Sequence, residues 1–383
     1  MLAAWHSRSS ESALSPDEEI FDPHIHLWDP ATETQRPLGP ICFIRRLLGS
    51  MLTKVLMLSG LVSDLVGFYR MHFTKRRGLD AFLSPYLGSD FAADVKRSGH
   101  KVTAAVYVEC GWTAGSPDEV AHVLRSYAPH VGMPLAVVGS LNIQAGPEHA
   151  AATIVACQAA IARVSSEGAA PQPVPSRFLV GFRTISKSPA PREYFNGGDD
   201  RPLDGADAIA SCRVLGTHSL TLDVCITHTQ LPELTRLAKA CPDTTLVLNH
   251  LGFPVGIGCH GPYGKCHDEW KAGLRELAKC PNVHVKLSGL GMPVFGLDFP
   301  NWDAPPSSEE LCASWAPLCL AVIKLFGVGR CLCASNFPPD AVSCPYGLLW
   351  NAHKRMLTAG GFSAAERRQL LRDNALALYG LPR

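Results

Sequence analysis

Residues Phe21 to Pro30 read F-D-P-H-I-H-L-W-D-P. An apolar run carries two histidines two positions apart, with Asp22 before them and Trp28 after. On a strand, positions i and i+2 point to the same side. His24 and His26 therefore share one face. Burying two imidazoles there without partners would be costly. Together they can take one divalent ion or grip one substrate oxyanion. What they do depends on the sheet that this strand opens.

From residue 20 onward, short apolar runs alternate with amphipathic ones. The pattern predicts strands at Glu19–Leu27, Val102–Cys110, Leu135–Asn142, Leu179–Thr184, Ser219–Ile226, Thr244–Leu248, Val283–Leu287 and Cys331–Ala334. It predicts helices at Asp118–Tyr127, Ala150–Val164, Leu231–Ala240, Asp268–Lys279, Glu309–Phe326 and Ser363–Leu378. The last opens with S-A-A-E, a capping-box pattern. Eight strands, most followed by a helix, predict an α/β fold, a closed parallel (β/α)8 barrel. Residues 19–383 are expected to form that single domain, behind a mobile tail at 1–18. The apolar stretch near 41–70 is interrupted by Arg45, Arg46, Lys54 and Asp64, so it reads as a helical insertion rather than a membrane span. A membrane-surface or partner-binding helix is its other reading. No G-x-G-x-x-G follows the first strand and no phosphate-binding G-x-x-x-x-G-K-[ST] occurs, which gives no support to a nucleotide fold.

Composition narrows the partners. The 383 residues carry a formal net charge of +1 with no long run of like charge, which argues against nucleic acid or an anionic membrane. Fourteen scattered cysteines, without C-x-x-C pairs, read as free thiols of a reducing compartment. Cys331 and Cys333 form a C-x-C that could bind metal, but buried strands often carry such small apolar thiols. The N-terminus lacks a secretory pattern, so a cytoplasmic location is expected. Oligomeric state is left open.

In such a barrel, chemistry gathers at the C-terminal ends of the strands. Those ends carry His24 and His26, then Glu109, Arg183, His228, Asn249 with His250, Lys286 with Ser288, and Ser335 with Asn336. His250 can converge on the first pair, although a lone strand-end histidine is commonly a hydrogen-bonded structural residue. Glu109 in an apolar run needs a partner, either a metal or an arginine such as Arg183. Lys286 reads equally as a salt-bridge residue, and Asn336 as a turn residue bonded to backbone.

These motifs together resemble a known family. D-P-H-I-H-L-W, L-N-H-L-G-F-P, N-V-H-V-K-L-S-G-L, A-S-N-F-P and N-A-L-A-L-Y-G-L, in this order, are similar to the amidohydrolase-related lactonases. That group includes 2-pyrone-4,6-dicarboxylate and sugar-acid lactonases. The resemblance runs from about residue 20 to 381 and is weakest near 41–70. It implies a distorted (β/α)8 barrel, with His24 and His26 in first-strand metal-ligand places and His250 in the sixth-strand histidine place. It implies that Arg183 holds a substrate carboxylate or carbonyl. Asn336 stands where many amidohydrolases carry a metal-binding aspartate that takes the proton of the attacking water. An amide cannot act as that base. Asp340 reads as too far down the loop to replace it, and the fourth strand offers no lysine for a binuclear site.

The expected function is therefore hydrolysis of a lactone of a small carboxylic or sugar acid. His24, His26 and His250, with one divalent metal (zinc or manganese) or with none, would polarise the carbonyl. Glu109 or a histidine would activate water, Arg183 would orient the substrate, and Trp112 and His228 would line the site. The rivals are a metal-dependent decarboxylase with the same histidines and a non-catalytic barrel binding a small acid or a protein.

Overall fold

The computed structural model describes residues 5–30, 33, 84–168, 177–186 and 201–381. The insertion expected near 41–70 lies outside the described residues. Eight parallel strands pair in sequence order: β1 (Glu19–Ile25), β2 (Lys101–Val108), β3 (Leu135–Ser140), β4 (Leu179–Ile185), β5 (Thr221–Cys225), β6 (Leu246–Leu248), β7 (Val283–Leu287) and β8 (Cys331–Cys333). All eight expected strands are present, most of them shorter than expected. The seam between β8 and β1 is closed just past the strands. His24 O accepts from Asn336 N at 2.9 Å, and His26 N donates to Phe337 O at 2.8 Å.

The helices are α1 (Gly88–Ser98), α2 (Ser116–His122), α3 (Pro147–Ser166), α4 (Ala206–Thr217), α5 (Leu231–Ala240), α6 (His267–Leu277), α7 (Ser308–Phe326), α8 (Tyr346–Ala359), α9 (Ala364–Arg368) and α10 (Asn374–Tyr379). α1, α4 and α8 were not among the expected helices. The expected Ser363–Leu378 helix is split: a π turn at Gln369–Asp373 joins α9 to α10. Its capping box is formed, with Ser363 Oγ accepting from Glu366 N and Glu366 Oε2 accepting from Ser363 N.

Alternation along the strands sorts two cores. Outward residues such as Tyr107, Val137, Leu222, Leu248 and Val285 pack in the larger cluster with the helices. Val106, Val108, Val138, Val180 and Leu332 pack instead with Phe21 and with Leu376 and Tyr379 of α10. That smaller cluster fills the barrel interior. Burial of these side chains contributes roughly 1.5–3 kcal/mol each. Cys331 and Cys333 lie buried in the outer cluster, and both are free thiols.

The stretch expected to be a mobile tail is tied down along residues 5–18. His6 Nε2 meets Ala341 O at 2.8 Å, and Ser308 N donates to Glu11 Oε1 at 2.8 Å. Lys354 Nζ donates to the carbonyls of Leu14 and Ser15 at 2.9 and 2.7 Å. Trp5 is buried. An apolar anchor and a run of satisfied polar groups hold residues 5–18 in place.

Candidate active site

The imidazoles of His24, His26 and His250 meet, and all three are buried. His24 Nε2 faces His26 Nε2 at 3.2 Å, and the rings of His24 and His250 lie 4.6 Å apart, centroid to centroid. The local sequence explains the pose. Phe21 and His24 differ by an odd number of positions, yet Phe21 packs with the inner cluster. A register shift between Asp22 and Ile25, around Pro23, permits this. Asp22 then locks the strand end across the seam. Its Oδ1 accepts from Ser335 N at 3.0 Å, and its Oδ2 accepts from Tyr346 Oη at 3.0 Å.

His250 sits on left-handed backbone, φ 53°, followed by Leu251 at φ 58°. Such strain in non-glycine residues is sustained only where surrounding structure over-determines it. Its ring lies against Gly289, where an added Cβ would come within 2.7 Å of Cγ and Nδ1. Glycine is therefore required there, for space and for its φ of 74°. Ser288 Oγ holds His250 Nδ1 at 2.9 Å.

Arg183 and Glu109 form a buried fork. Arg183 Nε donates to Glu109 Oε1 at 2.7 Å, and Nη2 donates to Glu109 O at 2.7 Å. Gly111 N donates to Glu109 Oε2 at 2.6 Å. Both carboxylate oxygens are thus engaged. Their geometry holds Arg183, and Arg183 Nη1 takes no part in these bonds.

Asn336 has φ 53° and donates from Nδ2 to Asp340 Oδ1 at 2.7 Å. Gly291 N donates to Asp340 Oδ2 at 2.9 Å. Asp340 is thus not out of reach down the loop, as the sequence reading held. A 3-10 turn at Pro339–Val342 folds it back under Asn336. With the Asn336 amide nitrogen committed, its Oδ1 is the atom left to accept a hydrogen bond.

Two expected site residues lie outside the cluster. Trp112 is half-buried and stacks on His122 at 5.0 Å. His228 bonds the Phe253 carbonyl through Nδ1 at 3.2 Å, and Phe253 packs on His250 at 4.9 Å. His228 therefore reaches the cluster only through an intervening ring. A cavity of about 710 Å³ beside the seam is lined by His6, Arg97, Tyr86, Phe337 and Tyr346 rather than by the three histidines.

The sequence reading missed Asp223 and Tyr379. Below His24, Lys286 Nζ donates to Asp223 Oδ2 at 2.6 Å, with both side chains wholly buried. Asn249 Nδ2 donates to the same oxygen at 2.9 Å, and Tyr379 Oη to Asp223 Oδ1 at 3.4 Å. A charged residue inside T-L-D-V-C was the available signal.

Burial sets the charge state of the site. It holds the His24 imidazole well below its usual range, helped by the Lys286 charge and by His250, His26 and Arg183. It does the same to His250, helped chiefly by Arg183. Both are neutral near pH 7. Burial also lowers His6, His100, His284 and His353 to about 4. It raises Asp22 to about 6 and Asp340 to about 8.

These shifts predict an acid-sensitive fold. Histidines with depressed folded values contribute stability that is full above about 6.5 and lost as pH falls toward 4, because the unfolded chain takes up protons first. The two aspartates work oppositely, stabilising the fold at low pH and losing that contribution as pH rises through 6 and 8. The histidines outnumber them. The urea midpoint should therefore fall from pH 7 to pH 5, and a flat or rising midpoint would contradict these charge states.

Comparison with known proteins now places the chain. A family profile described as amidohydrolase matches residues 21–381. The chain belongs to the amidohydrolase family. This family member is 28% identical to the uncharacterised protein y4mH of Sinorhizobium fredii, over 95% of this chain and 99% of that protein. It is 30% identical to an L-fucono-1,5-lactonase of Burkholderia ambifaria over 151 residues, 39% of this chain and 45% of that enzyme. A crystal structure of a Burkholderia multivorans amidohydrolase with bound zinc matches at TM-score 0.62 and 22% identity, over 95% of this chain and 99% of that one. The (β/α)8 barrel and the assignment to amidohydrolase-family enzymes follow. No described helix is long and apolar enough to cross a membrane.

A divalent ion suits these residues only in part. The Nε2 spacing of His24 and His26 resembles that of two ligands on one tetrahedral ion, about 3.3 Å for nitrogen bonds of about 2.0–2.1 Å. The remaining donors do not complete a set. Among the described residues, no group of three or more His, Cys, Asp or Glu side chains is gathered as a metal site. Asn336 occupies the eighth-strand place, and both Asp340 oxygens accept from neighbours. A cation, Lys286, stands 3.5 Å from His24 Nδ1. Among the described residues, the donor set does not complete a site for a catalytic divalent ion.

Proposed function

We propose that this amidohydrolase-family hydrolase opens a lactone of a small carboxylic or sugar acid. The observation that carries the reading is the meeting of three buried imidazoles, two of them held neutral by burial and by the nearby charges of Lys286 and Arg183. Neutral imidazoles can give and take one proton each without changing the net charge of a buried site. The lactonase name of the Burkholderia ambifaria relative supports the substrate class.

In this mechanism, Arg183 Nη1 holds a substrate carboxylate or hydroxyl while Glu109 keeps the guanidinium in place. The His24 Nε2–H, which bonds His26 Nε2 in the empty site, turns to the lactone carbonyl oxygen as negative charge develops on it. Water lies on Asn336 Oδ1, which accepts one O–H but takes no proton. Its oxygen bonds to the carbonyl carbon as its proton passes to His250 Nε2. Ser288 Oγ accepts from His250 Nδ1–H in this tautomer. The tetrahedral intermediate collapses, the ring C–O bond breaks, and the leaving alkoxide takes the proton from His250. The product is the open hydroxy acid.

A panel of sugar-acid and pyrone lactones, followed by acid release, tests the reading. At least one should turn over, and His250→Gln should lower its kcat/KM by about 10²–10³. Carbon dioxide release from aromatic acids without lactone opening would replace this reading with the decarboxylase. Saturable binding of small acids with no turnover would leave a barrel that only binds.

A further inference from the structure

The buried pair of Lys286 and Asp223 has no part in the steps above, yet it touches the site. Lys286 Nζ lies 3.5 Å from His24 Nδ1, 2.6 Å from Asp223 Oδ2 and 5.4 Å from the centre of the Tyr379 ring. The hydrogen-bond directions around it can be read from one end. A backbone carbonyl only accepts, so the 2.8 Å contact of His26 Nδ1 with Val108 O puts the His26 proton on Nδ1. His26 Nε2 then carries a lone pair, and the 3.2 Å contact between the two Nε2 atoms needs a proton on His24 Nε2. That leaves a lone pair on His24 Nδ1, facing an ammonium. Each donor in the run from Lys286 through His24 and His26 to Val108 O meets an acceptor.

From this polarity we infer that Lys286, held by Asp223, is a positioning residue that fixes His24 as the Nε2–H tautomer and so makes it a hydrogen-bond donor rather than a metal ligand. A cation at His24 Nε2 would move the ring proton to Nδ1, where it would point at the ammonium. Two donors would then face each other in a place without water. Asp223 keeps the ammonium where it is, since a neutral lysine would leave a buried carboxylate supported only by Asn249 and Tyr379. The lysine thus gives the barrel a way of refusing a divalent ion that two adjacent histidines would otherwise attract. The inference deepens the proposed hydrolysis by naming the donor to the carbonyl, and it rests on that reading only for this last role.

The test is nitrogen-15 NMR of histidine-labelled full-length protein, with the His24 signals assigned by their loss in His24→Gln, alongside calorimetric titration with zinc. Wild type should show His24 protonated on Nε2 and bind zinc weakly at this site. Asp223→Asn/Lys286→Met removes both buried charges and so avoids stranding either one. In that variant zinc should bind tighter by on the order of tenfold or more, and His24 should shift its proton to Nδ1 when zinc is added. His24 protonated on Nδ1 in wild type, or equal zinc affinity in the two proteins, would overturn the inference. Neither outcome touches lactone turnover, and a silent lactone panel would leave the tautomer readout standing.

Discussion

Asp223→Ala should cost the fold on the order of 3–5 kcal/mol, the effect of leaving one member of a buried ion pair alone. Lys286 has no exposed surface, so its ammonium cannot turn to water. Tyr379 Oη loses its acceptor at the same time, and Asn249 Nδ2 keeps only Val247 O at 3.4 Å. Each stranded donor adds to the loss. Urea unfolding at neutral pH would show it as a lower midpoint with an unchanged slope. Asp223→Leu/Lys286→Met should recover most of the lost stability, because an apolar pair in place of a buried ion pair is often neutral or better. A loss below about 1 kcal/mol for the single change would mean that water reaches the lysine, and the enclosed interior described above would be wrong.

Arg183→Met should be comparably damaging to stability, about 3–5 kcal/mol, since Glu109 would keep only the Gly111 N–H on its buried carboxylate. Its effect on turnover is separable through Arg183→Lys. Lysine retains a cation opposite Glu109 but loses the planar fork that bonds Oε1 and the backbone carbonyl together while presenting Nη1. With Arg183→Lys, kcat/KM on an acidic lactone should fall about tenfold or more, while the unfolding midpoint moves far less than in Arg183→Met. An Arg183→Lys enzyme with full activity would remove the arginine from substrate binding and leave it a structural partner of Glu109.

Both changes bear on what could be read from residues alone. The barrel was legible because its strands are short apolar runs spaced by amphipathic ones, and this periodicity survives without tertiary context. Two of the three helices that escaped notice lack a clear polar face. Tyr346–Ala359 is buried along most of its length and shows little polar face, while Ala206–Thr217 mixes small and apolar residues all round. His24, His26, His250 and Arg183 were legible because a polar side chain at the end of an apolar run is unusual. The direction of their hydrogen bonds was not. Nothing in F-D-P-H-I-H says which ring nitrogen holds a proton, since that depends on Val108 O and on Lys286, distant in the chain. The contacts of Glu109 were hidden for a related reason. Whether a carboxylate has a free oxygen depends on a backbone amide two residues on, Gly111 N, whose position only the fold decides. Asp340 was set aside because separation along a loop says little about a loop that turns back.

The seam between the first and last strands bears on how the molecule is made. His24 O and His26 N bond to Asn336 N and Phe337 O. The histidine cluster therefore lies on the join that completes the cylinder. A nascent chain still attached to the ribosome near residue 330 carries seven strands but has neither the seam nor Asn336. Loop closure over some three hundred residues is among the slowest events in forming such a topology. On the proposed reading, turnover doubles as a completion signal, since an unfinished barrel lacks the joined site. Activity regained during refolding should track the last kinetic phase rather than the recovery of helix content.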